Sequence, residues 1–175
     1  MDPVIITNRL KLRHVTMDDI DDIQACIIDP RIYEMVAQIP ANQTRENTEA
    51  WISTHPTGRD AKTGFVYAIT RNNRFIGLIG LHRTAPSAPF EIGYWMSPHF
   101  WGKGFMTEAG IALLKSLEDA LTPQKTISGY FADNPASGRV LEKLGYVQID
   151  ENEKFCIGRN KTLPHIVMER PAVRS

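Results

Sequence analysis

Cysteine is scarce: Cys26 and Cys156 are the only two in 175 residues, and they form no CxxC pair. That spacing excludes a zinc ribbon and a redox dithiol and leaves two reduced thiols as the expectation. Neither sign of charge is in excess, with 20 Lys+Arg against 20 Asp+Glu. A nucleic-acid-binding surface needs a basic surplus, so that role is excluded as the main one; a local positive pocket for one small anion is not. Long apolar runs are missing, so no segment is read as spanning a bilayer. The start, Met1 to Thr7, lacks a basic segment followed by an apolar stretch, and no signal peptide is read. His82, His99 and His165 stand at no metal-ligand spacing, so no metal is expected and each is read as structural or surface. Repeats, low-complexity tracts and linkers are also absent. The expectation is one soluble, cytoplasmic domain over 1–175, with no membrane or nucleic-acid partner.

What is present reads as an α+β chain. Leu10 to Arg13 alternates like a strand. Thr16 and Asp19 form a capping pattern ahead of Ile20, Ile23, Ile27 and Ile28, which fall at helical spacing. Pro30 ends that helix or turns the chain, and a short helix over Tyr33 to Ala37 follows. Thr44 to Thr54 is a further helix, with Thr44 capping and Trp51 facing inward. Phe65 to Ile69 and Arg74 to His82 are strands joined by Asn72-Asn73, a pair suited to a tight hairpin. The second of them is apolar enough to be buried on both faces. Phe90 to Met96 is a third strand. Gly104 to Leu121 carries Met106, Gly110, Leu113, Leu114, Leu117 and Leu121 on one helical stripe. After a strand at Thr126 to Phe131, Asn134-Pro135 opens a helix that Gly145 stops. Tyr146 to Ile149 and Pro164 to Glu169 close the chain as strands. This is a mixed sheet with helices, not a doubly wound order.

Chemistry concentrates between Glu91 and Ala109. A strand runs into a loop with Gly102 and Gly104, then into a helix. The helix start leaves N–H groups unpaired and partly positive, and the two glycines let the backbone curl around an anion such as a pyrophosphate. The Walker loop is absent, and the dinucleotide fingerprint fails at Thr107. On local pattern alone a plain glycine-rich turn reads equally well.

The stretch Glu91-Ile92-Gly93-Tyr94-Trp95 followed by Trp101-Gly102-Lys103-Gly104-Phe105-Met106-Thr107-Glu108-Ala109 resembles the acetyl-CoA motif of the GNAT N-acetyltransferase superfamily, and most closely its RimJ/RimL-like branch. Thr7 to Arg13, Phe75 to Leu81, and Asn134 to Tyr146 resemble other parts of that branch, in order along nearly the whole chain. The family's loop pattern is [Gln/Arg]-x-x-Gly-x-[Gly/Ala]. Trp101 stands in its first place and Met106 in its last, where Met106 is expected to adjust packing without loss of anion binding.

The resemblance implies a mixed, largely antiparallel sheet splayed at the acetyl-CoA site. It implies acetyl-CoA as co-substrate, an amine (a protein N-terminus or a small molecule) as acceptor, direct attack within a ternary complex, and an assembly compatible with a homodimer. Coenzyme contacts fall to Trp101 through Thr107, to the main chain of Trp95, Met96 and Ser97, and to Asn134 and Ser137. A bulge near Trp95 would free its N–H to polarise the thioester carbonyl, while its ring is read as a core or rim aromatic. Glu91 is the expected base, with burial between Phe90 and Ile92 raising its pKa; an ordinary paired strand glutamate is the alternative. The usual acid, a helix tyrosine, is replaced by Leu141, so Ser137 is named instead; a plain first-turn cap is the alternative for it. Asn134 caps its helix and can also touch the pantetheine. Lys103 faces the phosphates or, by preference, solvent. Cys26 is read as a small core residue, and Cys156 as lying near the acceptor side without activation. Tyr33, Trp51 and Phe155 to Asn160 are expected around the acceptor. The missing tyrosine keeps open a catalytically weak, acetyl-CoA-binding module; an unrelated α+β domain is the third reading.

Overall fold

The structure is a computed structural model that describes residues 1–121 and 124–172; residues 122–123 and 173–175 of the expected 1–175 unit lie outside the described residues. The chain begins with two short strands, β1 (Val4–Ile6) and β2 (Lys11–His14). A one-turn 3-10 helix follows, where the Asp19 carboxylate accepts the Thr16 N–H at 2.9 Å. It leads into helix α1 (Ile20–Ile27). Ile20, Ile23 and Ile27 are buried, but Ile28 falls past the last turn and is exposed. Pro30 opens helix α2 (Pro30–Tyr33), with Asp29 as its cap. The expected helix over Tyr33 to Ala37 is therefore shifted toward the N-terminus, because proline suits a first helical turn.

Helices α3 (Arg45–Ser53) and α4 (His55–Asp60) come next. Thr44 caps α3 by accepting the Asn47 N–H at 3.2 Å. Ile52, not Trp51, takes its inner face, and the Trp51 ring sits half out of the fold. Strands β3 (Gly64–Arg71) and β4 (Arg74–His82) are joined at Asn72 and Asn73, whose φ of 50° and 61° make the expected turn. Strand β5 (Phe90–Met96), helix α5 (Phe105–Ala120), strand β6 (Thr126–Phe131) and helix α6 (Pro135–Lys143) fall where the sequence predicts. The last two strands are longer: β7 (Val147–Cys156) and β8 (Lys161–Arg170) form an extended hairpin.

These strands make one sheet in the order β1-β2-β3-β4-β5-β6-β8-β7. All neighbours are antiparallel except β5 and β6, which run parallel and pair only at Phe90↔Thr126 and Glu91↔Ile127. Beyond Glu91 the two strands part. The opening comes from that divergence and not from a bulge near Trp95, since β4 and β5 keep continuous register from His82↔Glu91 to Gly77↔Met96.

Each face of the sheet carries its own core. Phe90, Ile92 and Met96 of β5 pack with α5 and α6 on one side. Trp95, from the alternate positions, packs with α1 and α3 on the other. Among the described residues, no helix is long and apolar enough to cross a membrane. Both cysteines are free; Cys156 is fully buried, while Cys26 is half-buried against the second core.

His55 is buried with neither ring nitrogen partnered among the described residues. Desolvation, helped by Arg59 and His14 nearby, pushes its pKa down to about 4. Above the ordinary imidazole value of about 6.5 the ring is neutral whether the chain is folded or not. Below it the unfolded chain binds a proton that the folded chain refuses until about 4. Stability is therefore expected to fall as pH drops through that window. Thermal unfolding followed over this range should show a shallower loss for His55→Leu than for the unsubstituted chain; equal slopes would clear His55 of the effect.

Candidate active site

The splay between β5 and β6 opens into a cleft of about 540 Å³ that passes through the sheet. From one face Tyr94, Ser128, Tyr130 and Ser137 line it; from the other come Glu91, Gly93, His82, Lys154, His165 and Trp51. Its floor on this second face is bare, because Gly80 and Gly93 are register partners. A Cβ added at Gly93 would meet nothing within 4 Å.

Backbone direction along β5 decides which main-chain groups face the splay. The Ser97 N–H donates to Ile76 O of β4 at 2.9 Å. Strand alternation then turns the main chain of Trp95 toward β4 as well, and that of Tyr94 and Met96 toward the opening. Two contacts agree with this. Ile92 O accepts the Ser128 hydroxyl at 2.9 Å, and Met96 O accepts the Trp101 indole N–H at 2.6 Å. The main-chain groups expected at Trp95 and Ser97 thus point into the sheet, and the Tyr94 N–H takes the exposed position. The Trp95 ring lies 5.9 Å from that of Phe75, which suits the expected rim aromatic.

Past β5, the loop turns at Gly102 and Gly104 with φ of 72° and 74°, in the left-handed region that favours glycine. The Trp101 indole fastens this loop back to the end of β5. The first N–H to close a helical bond onto the loop is that of Glu108, on Gly104 O at 3.0 Å. The N–H groups of Phe105, Met106 and Thr107 precede it and stand at the helix start, where an anion is favoured. Met106 is buried in the main core, so its side chain leaves the loop mouth clear. Lys103 bends back to donate to His99 O at 2.9 Å. Arg9 lies 4.5 Å over the Phe105 ring and donates to Lys103 O and to the Glu108 carboxylate. Burial raises the Glu108 pKa, but the hydrogen bonds from Thr7 and Arg9 outweigh it and hold that carboxyl below the usual range. The start of the chain is thereby latched to the glycine loop.

On α6, Asn134 accepts the Ser137 N–H at 3.3 Å. The Ser137 hydroxyl lies 3.0 Å from the Tyr94 hydroxyl, which also donates to Ser137 O at 3.0 Å. Burial raises the Tyr94 pKa far above its ordinary value, so the phenol stays protonated. Leu141 is fully buried in the main core. The sequence offers no tyrosine at that helix position, yet the fold delivers one to Ser137 from β5. Strand alternation alone puts Tyr94 on the face covered by α5 and α6, and is the signal that finds it.

Glu91 is not buried between its neighbours. Phe90 and Ile92 point to the opposite face, and the Glu91 side chain keeps 35% of its exposure. Its carboxylate lies 3.5 Å from His82 Nε2 and 3.7 Å from Lys154 Nζ. Across the cleft the buried His165 places Nδ1 3.0 Å from Asn152 Oδ1. Desolvation, with Lys154 near, lowers the His165 pKa and keeps it neutral. Neither Lys154 nor His165 stood out as a site residue in the sequence. Trp51 lines the cleft as expected, but Tyr33 and Phe155 do not.

A sheet split beside a glycine loop at a helix start has counterparts among known proteins. The family model of the acetyltransferase (GNAT) domain matches residues 9–147, and the chain belongs to that family, with the fold and the RimJ/RimL likeness expected. It is an acyltransferase. The chain is 30% identical over 149 residues to an uncharacterized N-acetyltransferase, YoaA, of Bacillus subtilis (strain 168), covering 83% of this chain and 84% of that one. It is 27% identical to the ribosomal-protein-serine acetyltransferase of Escherichia coli (strain K12) over 59% of this chain and 56% of the other. In structure it resembles RimL, a ribosomal L7/L12 α-N-protein acetyltransferase in complex with coenzyme A, with a TM-score of 0.86 at 16% identity, covering 97% and 98% of the two chains.

Proposed function

We propose that the chain transfers the acetyl group of acetyl-CoA to the amine of an acceptor bound on the Glu91 side of the sheet, both substrates being held in the cleft at once. The observation that carries this reading is the cleft itself. It joins Tyr94 and Ser137 on one face to Glu91 on the other, through the gap between β5 and β6. Phe105, Met106 and Thr107 offer N–H groups to a pyrophosphate, and the Tyr94 and Met96 main chain offers a strand edge to the pantetheine arm. Acetyl-CoA supplies an activated acyl group on a thiol leaving group.

The protein's part is positioning and proton transfer. Glu91 takes a proton from the incoming ammonium, directly or through water. The Tyr94 N–H, aimed into the splay, donates to the thioester oxygen as negative charge gathers there. As the new N–C bond forms and the C–S bond breaks, the nitrogen sheds its second proton, which reaches the departing sulfur through the Ser137 hydroxyl; the serine gives one proton and takes one in turn, with the Tyr94 phenol hydrogen-bonded behind it.

The test is acetyl-CoA binding by calorimetry, followed by thiol release over a panel of amines. Binding with amine-dependent release is expected. Gly104→Val, which forces a β-branched residue to positive φ at a cost of about 1–3 kcal/mol, should weaken acetyl-CoA binding by about tenfold or more. An unsubstituted protein that binds no acetyl-CoA would refute the proposal. Binding without release for any amine would leave only a coenzyme-holding module.

A further inference from the structure

The charges inside the cleft are uneven once an amine is bound. Among the described residues that line it, Glu91 is the only carboxylate and Lys154 the only lysine or arginine. Their 3.7 Å contact is an ion pair too long for a hydrogen bond. Among the described residues, Lys154 makes no other ion pair and donates to no protein acceptor. Both groups are therefore held side by side with their hydrogen-bonding capacity unspent.

An incoming ammonium takes Glu91 away from Lys154, and its proton then neutralises the carboxylate. Lys154 is left as a positive charge at the edge of a cleft whose other walls are mostly apolar: Ile23, Ile27, Ile39, Trp51, Val66 and Leu78. The Lys154 ammonium, 38% exposed, is then a half-desolvated cation without a partner. An acceptor that carries its own anion next to the amine restores the pair.

Resting on the acetyltransferase reading above, we infer that the acceptor is a free α-amino acid with an uncharged, largely apolar side chain. Its ammonium meets Glu91, its carboxylate meets Lys154, and its side chain enters the apolar pocket. In such a molecule the amine and the carboxyl carbon are two bonds apart, which suits two protein charges lying this close. A polyamine or aminoglycoside brings further positive charges and finds no second carboxylate among these lining residues. A peptide N-terminus presents an amide where Lys154 wants an anion. The bare floor at Gly80 and Gly93 gives room for the acceptor's α-carbon to lie against the strand.

The experiment compares thiol release with L-leucine and with L-leucinamide, which differ only in the anion. The acid should have a kcat/KM about tenfold or more above that of the amide, the scale of one charge-assisted pair. The amide's amine is the less basic, so more of it is free at neutral pH and the comparison runs against the proposal. In Lys154→Met the acid-to-amide ratio should fall toward one, and in Lys154→Arg it should return. An unsubstituted ratio of one or less, a ratio that survives Lys154→Met, or spermidine as the faster acceptor would overturn the assignment. These outcomes leave the acetyltransferase reading intact, since all involve acetyl-CoA turnover; failure to bind acetyl-CoA sinks both.

Discussion

Glu91→Gln is expected to lower kcat/KM for amine acetylation by about 10²- to 10⁴-fold, the range that a positioned base contributes. The amide keeps the shape of the side chain and loses only the ability to take a proton. Glu91 lies on the face opposite the helix start and glycine loop, so acetyl-CoA affinity should stay within about threefold, well under the tenfold that 1.4 kcal/mol represents. The loss should be largest near neutral pH and shrink as the pH approaches the acceptor amine's own pKa, where the amine arrives already deprotonated. Steady-state thiol release over a pH series, alongside calorimetry with acetyl-CoA, reads both quantities. Near-normal activity at every pH would dismiss Glu91 as the base. The neutral His165, with its Nδ1 at Asn152, would then be the next group to examine.

Ser137→Ala should cost about 10²-fold in kcat, the lower end of what a proton donor supplies. The fold of α6 should survive, since Asn134 caps the helix through the Ser137 N–H and not its hydroxyl. Tyr94→Phe should cost less, because the phenol acts through the serine. The double variant should be no worse than Ser137→Ala alone, which is the signature of two groups on one path. If the two losses multiply, Tyr94 serves the reaction independently and the serine relay is wrong.

Much of this was legible in the sequence, and where it was not, the reasons are physical. The hairpin at Asn72-Asn73, the cap at Asn134-Pro135 and the whole of β5 and β6 followed from local chemistry: positive φ, a first-turn proline and apolar runs of strand length. The length of β7 did not. It is an edge strand exposed for most of its course, so no buried face imposed alternation on its sequence. Trp51 was placed one position wrong around α3, since a helical stripe one residue off looks almost as apolar and Ile52 fits the core better. The site divided in the same way. The glycine loop is contiguous in sequence, so its turns at Gly102 and Gly104 are legible there. The Glu91–Lys154 and Tyr94–Ser137 contacts join residues far apart, and only the order of strands across the sheet brings them together. The burial expected for Glu91 failed because a strand's neighbours in sequence belong to its other face.

The paired glycines at the bottom of the Glu91 side of the cleft bear on how such proteins diverge. Neither the turn of the chain nor the packing of the core asks for glycine at position 93: no positive φ is needed there, and an added Cβ would point into empty space. The position is a free variable in an otherwise constrained strand. Alanine, serine or a larger residue there would shorten the chamber step by step while leaving the glycine loop, Glu91 and Ser137 untouched. On the acetyltransferase reading proposed above, a change at this one position would alter the room for an acceptor without touching any other residue of the cleft.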